Sequence, residues 1–286
     1  MKFFSRSKKK GKGRTSAYAR PRWVNLPQAE NESTGLNVDF DKLADHGFIT
    51  RSTMDSVLAR EFSLIKRRLF RRLDYFDHTR KGEKRTQDER CPLVLVTSSK
   101  PGEGKTFGAC NLVLSLAFDE QIKVLLIDTD LAKPSVPEIF GFPEAQPGLY
   151  DCLKDPTRNV WNDIQKVAGT RLMILPTGEA TSSPASLFGS DAMLKILDQV
   201  SHGKNAFDFV VMDGPPLLAT TEAAILTQYA DEIMLMVGAK ETTTSQIQSS
   251  IAMLPDKEKI NLVINHMPFG EPLPTEYGDA HHSAAA

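Results

Sequence analysis

Apolar residues recur along this chain in two rhythms. Short unbroken apolar runs predict buried strands near 93–97, 123–128, 172–176, 209–213, 233–237 and 261–265. Between them, helical spacing predicts helices near 105–118, 187–200, 220–229 and 245–254. The runs Val124-Leu125-Leu126-Ile127 and Phe209-Val210-Val211-Met212 contain no polar position, as expected of a parallel sheet covered on both faces. Strands alternating with helices imply βαβ units and a three-layer α/β fold. Upstream, Met54, Leu58, Phe62, Ile65, Leu69 and Leu73 recur at steps of three or four, so a helix is expected from Ser52 to about Leu73. Ser52 and Asp55 form a candidate capping box at its start. Its other face carries Arg60, Lys66, Arg67, Arg68, Arg71 and Arg72, read either as a solvated face or as a subunit or membrane contact.

Charge adds a second division. The net charge of −1 hides a segment, residues 1–22, with nine Lys and Arg and no acid. Such a segment cannot bury a core and is expected to be disordered, either solubilising or attracted to an anionic membrane surface. Nucleic acid is not an expected partner, since neither aromatic interleaving nor a recognition fold accompanies the charge. The expected organisation is a tail and linker over 1–48, an amphipathic helix over 49–76 for oligomer or partner contact, a main domain over 88–268, and a flexible tail over 269–286 with one tyrosine. No apolar run approaches the ~18 residues of a membrane span, and no signal-peptide core is evident. The three cysteines, Cys91, Cys110 and Cys152, lack metal-ligand spacing and read as reduced thiols. A cytoplasmic protein, peripheral at the inner membrane face, fits these features.

The chemistry gathers at strand ends. After Leu93-Val94-Leu95-Val96 comes Ser98-Ser99-Lys100-Pro101-Gly102-Glu103-Gly104-Lys105-Thr106, a strand running into a glycine-bearing loop that opens a helix. This is the phosphate-loop pattern G-x-x-x-x-G-K-[ST] with Ser99 in place of the first glycine. Residues 99–106 are the candidate nucleotide-binding loop, with Lys105 directed to the β and γ phosphates and Thr106 to magnesium. Asp128 and Asp130 follow the second strand, and Asp213-Gly214-Pro215-Pro216 follows the fourth. Carboxylates at the carboxyl ends of parallel strands suit magnesium and proton transfer, because open α/β sheets bind ligands there. Thr106, Asp128, Asp130 and Asp213 are therefore the candidate metal residues, in an α/β P-loop NTPase with a mostly parallel sheet.

With these motifs in place the chain resembles the bacterial tyrosine autokinases of polysaccharide export, within the wider P-loop class of partition and septum-positioning ATPases. The resemblance covers about residues 50–267 and rests on the loop at 97–106, Asp128-x-Asp130 and Asp213 to Pro216. Leu175-Pro176-Thr177-Gly178, Pro184 to Phe188 and Val263-Ile264-Asn265 support it. The helical stretch 47–73 also resembles the oligomer-contact helix of the exosortase-associated subset. The resemblance implies ATP and Mg2+ as cofactors, with Lys105 and Asp128 catalytic, Asp128 activating the attacking hydroxyl. It further implies Asn265 near the adenine, Tyr277 as the candidate phosphoacceptor, self-association, and a membrane chain-length co-polymerase as activator. Departures are visible. Ala132 replaces the arginine of D-x-D-x-R, E-x-x-R appears as Arg60-Glu61-Phe62-Ser63, and one tyrosine stands where the family carries a cluster. These weigh against ring-like oligomers and multi-site autophosphorylation. Lys100 matches the signature lysine of partition-type ATPases, or is a surface lysine. A regulatory ATPase using water as nucleophile is the rival activity; a small-molecule phosphotransferase would need a lid insertion that the sequence does not offer.

Overall fold

A computed structural model describes residues 35–73, 75, 90–118, 122–143, 146–179, 185–203 and 206–267. Seven strands form one sheet in the order β3-β4-β2-β5-β1-β6-β7. They are β1 Leu93–Ser98, β2 Val124–Asp128, β3 Gln165–Lys166, β4 Leu172–Leu175, β5 Phe209–Asp213, β6 Glu232–Gly238 and β7 Ile260–Asn265. All neighbours pair in parallel except the edge strand β3, which runs antiparallel to β4. The six strands expected from apolar runs are all present. β3 was not expected, since two polar residues carry no periodicity.

Because strand side chains alternate between faces, adjacent residues enter different cores. Val94, Val96, Leu126, Val211 and Met234 join one core, and Leu93, Leu95, Leu125, Val210 and Ile233 the other. The first face is covered by α3 (Lys105–Ala117), whose residues from Gly108 to Ala117 are all buried. A helix apolar on every side needs cover on every side. The outer cover is α2 (Val57–Arg72), which packs on α3 through Ala59, Phe62, Leu69 and Phe70. The second face is covered by α7 (Asp191–Ser201), whose Met193, Ile196, Leu197 and Val200 are buried. The remaining helices are short: α1 Phe40–Asp45, α4 Val136–Phe140, α5 Leu149–Lys154, α6 Ala185–Phe188, α8 Thr221–Leu226 and α9 Thr244–Ala252. The single helix expected over 187–200 is divided at Gly189-Ser190 into α6 and α7.

Two expectations near the N-terminus need correction. The amphipathic helix does not start at Ser52: residues Arg51–Thr53 form a 3-10 turn, and Ser56 caps α2 by accepting from the Ala59 N–H at 3.1 Å. Thr50 and Thr53 make the reciprocal bonds that were expected of Ser52 and Asp55. Ser56 has the extended backbone (φ −67°, ψ 160°) that a cap requires. Met54 consequently leaves the apolar stripe and is exposed, while half-buried Lys66 leaves the solvated face and donates to the Ser115 carbonyl at 3.2 Å. The buried part of the α2 stripe is spent on its own domain, and its outward side carries Arg60, Arg67, Arg68 and Arg71 together with the exposed Val57 and Leu64.

Nor is the stretch before residue 49 all linker. Leu36 bridges to Val167, donating to the Lys166 carbonyl at 2.7 Å and accepting from the Ala168 N–H at 3.0 Å. Val38, Leu43, Phe48 and Ile49 are buried. Asp39 caps α1, and the Ile49 N–H donates to Asn111 Oδ1 on α3 at 2.8 Å. Six helical residues with one buried leucine fall below what periodicity detects. The basic tail over residues 1–22 lies outside the described residues.

Candidate functional site: a phosphate loop ringed by three acids

The loop after β1 is held from three sides. Gly102 (φ 90°) and Gly104 (φ 82°) take the left-handed backbone that turns the chain into α3. A Cβ on Gly104 would clash with Asn265 Nδ2, so β7 closes directly on the loop. Asn265 donates from that amide to the Glu103 carbonyl at 3.1 Å, placing it at the loop as a brace. The chain after Asp213 laces the other side. Gly214 N–H donates to Val96 O at 2.9 Å, Leu217 N–H to Ser98 O at 2.8 Å and Leu218 N–H to Ser99 O at 3.0 Å. Thr97 Oγ1 donates to Pro215 O at 2.7 Å. The two prolines have no N–H to lose, and their rigid exit sets this lacing.

The third brace is Glu103, which sequence reasoning placed in the loop without a role. Its carboxylate is fully buried and accepts from Lys100 N–H at 2.8 Å, from Gly238 N–H at 3.4 Å and from the Thr242 hydroxyl. Lys100 Nζ donates to the Glu241 carbonyl at 2.7 Å. Pro101 and Gly102 stay exposed at the tip, and Ser99 is buried with an unpartnered hydroxyl.

Three carboxylates face the helix start. Asp128 and Asp213 are register partners on the adjacent strands β2 and β5. Thr129 donates to the Asp213 carbonyl from both N–H (2.9 Å) and hydroxyl (2.7 Å), fixing the two strand ends together. Asp128 accepts from the N–H groups of Asp130 (3.2 Å) and Val136 (3.4 Å). Asp130, just past the end of β2, pairs with Lys105 Nζ at 2.7 Å. Lys105 also donates to Thr106 Oγ1 at 3.2 Å. Burial, then the charge of Asp213, pushes the Asp128 carboxyl well above the usual carboxylate range. Burial likewise raises Asp213, against the pull of Lys105. Burial pulls the Lys105 ammonium down, but Asp213 and Asp130 more than offset it and its affinity for the proton rises.

Asp213 is the informative one. It is 1% exposed, and neither carboxylate oxygen has a partner of good hydrogen-bond geometry; only the Lys105 charge and the nearby Thr106 hydroxyl work against its burial. Buried carboxylates are normally paired or bound to a cation. The site thus fits a magnesium ion. Among the described residues no three His, Cys, Asp or Glu side chains converge as a ready-made metal cage. That also suits magnesium, which takes one or two carboxylates and completes its shell with phosphate and water. Thr177 is buried with its hydroxyl beside Asp128, where it works against the effect of burial on that carboxyl. Its stretch had been noted only as part of a resemblance. Tyr277 lies outside the described residues.

The comparisons with known proteins agree with this geometry. The ParA family model, described as NUBPL iron-transfer P-loop NTPase, matches residues 91–268. The chain belongs to the ParA family of P-loop NTPases. Tyrosine-protein kinase YwqD of Bacillus subtilis is 35% identical over 159 residues, 56% of this chain and 65% of that protein. The putative tyrosine-protein kinase EpsB of Ralstonia nicotianae is 30% identical over 168 residues, 59% of this chain and 22% of that protein. The chain therefore spans about a fifth of the length of the first curated relatives it matches. Among solved structures, the VpsO kinase domain is 31% identical with a TM-score of 0.55, over 64% of this chain and 87% of that one. The resemblance drawn from the motifs is borne out, as is the P-loop α/β fold. A ParA-family P-loop NTPase binds a nucleotide, typically with Mg2+. No described helix is long and apolar enough to cross a membrane.

Proposed function

We propose that this ParA-family chain is an ATP-dependent protein-tyrosine autokinase that regulates assembly or export of an extracellular polysaccharide. The observation that carries the reading is the buried pair Asp128 and Asp213 at the phosphate loop, both raised by burial, the first accepting two backbone N–H groups and the second without a well-formed hydrogen bond. Two such carboxyls would divide the work of a phosphotransferase: Asp213 with Thr106 would hold magnesium, and Asp128 would accept the proton of the attacking hydroxyl. A base whose proton affinity is raised toward neutrality is the better acceptor at physiological pH. Lys105 and the N–H groups of residues 99–106 hold the β and γ phosphates, helped by the N-terminal dipole of α3. Asp130, paired with Lys105 in the free protein, would support the metal once Lys105 is engaged with phosphate. Magnesium, when bound, neutralises the charge shared by the phosphate oxygens. Asn265 stands at the loop's rim on the adenine side, and Lys100 completes the loop wall.

Kinship supports phosphoryl transfer to tyrosine, since YwqD and VpsO are named as kinases. The iron-transfer role in the family model's description is the less favoured reading, because Cys91, Cys110 and Cys152 are all buried. The partners that fit this reading are a second copy of the chain, a membrane co-polymerase as activator, and an anionic inner membrane surface for the basic tail. A second reading, a positioning ATPase, is favoured by Lys100, whose place in the loop matches partition-type enzymes. The test is phosphoamino-acid analysis after incubation with magnesium-ATP. Phosphotyrosine is expected in the wild-type chain and absent from Lys105→Met; ATP consumption without phosphotyrosine would establish the second reading instead.

A further inference from the structure

Five tyrosines occur in the chain, and the fold removes three of them as acceptors. Tyr75 and Tyr150 are buried in the two cores. Tyr229 donates its hydroxyl to the Phe188 carbonyl at 2.5 Å. Tyr18 and Tyr277 remain, and their surroundings are opposite in charge. Tyr18 stands among Arg14, Arg20 and Arg22, whereas Tyr277 stands among Glu271, Glu276 and Asp279.

A cavity of about 220 Å3 opens at the carboxyl end of β4, lined by Gln146, Pro147, Asp151 and Glu179. Its wall is two residues from Thr177, which faces Asp128, and β4 is the direct neighbour of β2 with Leu175 beside Ile127. Asp151 is fixed there by accepting from the Gly148 N–H at 2.8 Å. Glu179 is exposed at the mouth, and the Gln146 side-chain amide nitrogen is buried without a partner. Among the described residues the lining holds two acids and no base. It attracts an arginine-flanked peptide and repels an acid-flanked one.

Topology points the same way. The N-terminal segment joins the domain at Leu36, bonded to Lys166 and Ala168 on the β3–β4 edge. From Tyr18 to Gly35 there are 17 residues, a reach of up to about 60 Å. The rise along β4 to the cavity is only about 15–20 Å at the strand repeat. The C-terminal segment leaves from β7, the opposite edge, and five strand spacings separate it from β4. That crossing is about 24 Å, and it passes over the nucleotide loop. Only ten residues join Met267 to Tyr277, at most about 36 Å when taut.

We propose that the acid-lined cavity at the carboxyl end of β4, the strand next to the one that bears Asp128, receives the chain's own basic N-terminal segment, making Tyr18 the preferred phosphoacceptor over Tyr277. This rests on the kinase reading above. The phenolic oxygen of Tyr18 bonds to the γ-phosphorus of ATP as the bond to the β,γ-bridging oxygen breaks. The electron pair leaves with ADP, and the phenol proton passes to Asp128.

Phosphopeptide mapping of the full chain after incubation with magnesium-ATP tests this, with total ATP consumption measured alongside. Most phosphate is expected on Tyr18. Tyr18→Phe should lose about tenfold or more of the incorporated phosphate, while Tyr277→Phe keeps most of it. Glu179→Lys, an exposed change at the mouth, should lower Tyr18 occupancy several-fold and raise that of Tyr277. Phosphate on Tyr277 with Tyr18 unmodified overturns the inference and leaves the kinase reading standing. ATP consumption with no phosphotyrosine at either position overturns both.

Discussion

Lys105→Met is expected to weaken ATP binding by at least about 100-fold. The substitution removes charge-assisted hydrogen bonds to phosphate, each on the order of 1.5–3 kcal/mol, and two of them already account for a factor of this size. The surroundings enlarge the effect. Lys105 is 2.7 Å from Asp130 and draws its raised proton affinity from Asp213, Asp130 and Asp128 together. Without the ammonium, a polyphosphate meets three acids whose negative charge is no longer balanced at close range. The free protein suffers as well, because Asp130 is 4% exposed and loses its ion-pair partner. Breaking a buried pair from one side costs about 3–5 kcal/mol. Calorimetric titration well below the melting temperature separates the two effects, with a denaturant melt of each protein as the control. An affinity within threefold of wild type would remove Lys105 from the phosphate site.

The second large effect has opposite signs on activity and stability. Asp128→Asn is expected to abolish phosphotyrosine formation, by about 10³-fold or more if general-base and positioning effects are both lost. It is also expected to stabilise the metal- and nucleotide-free protein at pH 8. Burial and the charge of Asp213 raise Asp128, and burial raises Asp213. The folded state therefore holds protons that the unfolded state releases. This contribution to stability is fully present below about pH 4, the ordinary carboxylate value, and is lost as the pH rises through the two raised values. Lys105 does not reverse the trend, since its proton affinity is itself raised and it stays charged throughout that window. An asparagine at 128 carries no charge to bury and can still accept from the Asp130 N–H. A gain of about 1–2 kcal/mol at pH 8, or roughly 2–8 °C in melting temperature for a domain of this size, should shrink toward zero near pH 4. Melts in EDTA at both pH values check it; an equal shift at both would show that the two carboxyls do not share a strained, ionised state. Function at the expense of stability is common where charges are gathered to bind a ligand.

What the sequence made legible depended on how local the cause was. Unbroken apolar runs such as Val124 to Ile127 marked the parallel strands because both faces are covered, a condition written into every position. The loop and its acids were legible for a related reason: each sits at the carboxyl end of such a run, where α/β topology puts ligands. Non-local causes stayed hidden. Gln165 and Lys166 form a strand only because Met173 and Ile174 are beside them. Residues 35–49 are ordered by Val167 and Asn111, more than 60 positions away. Glu103 acts by reaching Gly238 and Thr242, about 135 residues on, and no spacing rule joins them. Asp130 pairs with Lys105 because the chain turns after Asp128, donating its N–H back to that carboxylate, so strand periodicity stops one residue too early to place it. The two-part break at Gly189-Ser190 was locally encoded: Ser190 takes the N-cap position of α7 with extended backbone (φ −91°, ψ 162°), and its hydroxyl donates back to the Leu187 carbonyl at 2.6 Å.

The destination of the γ-phosphate is the measurement that bears most directly on this account. With γ-labelled ATP and magnesium in a single turnover, label can be partitioned between the protein and free inorganic phosphate. If Asp128 delivers a tyrosine hydroxyl to the nucleotide, most of the label ends as acid-precipitable phosphotyrosine, and Asp128→Asn shows neither product at the wild-type rate. Label recovered almost wholly as free phosphate, at an unchanged turnover rate and with no protein-bound fraction, would contradict it.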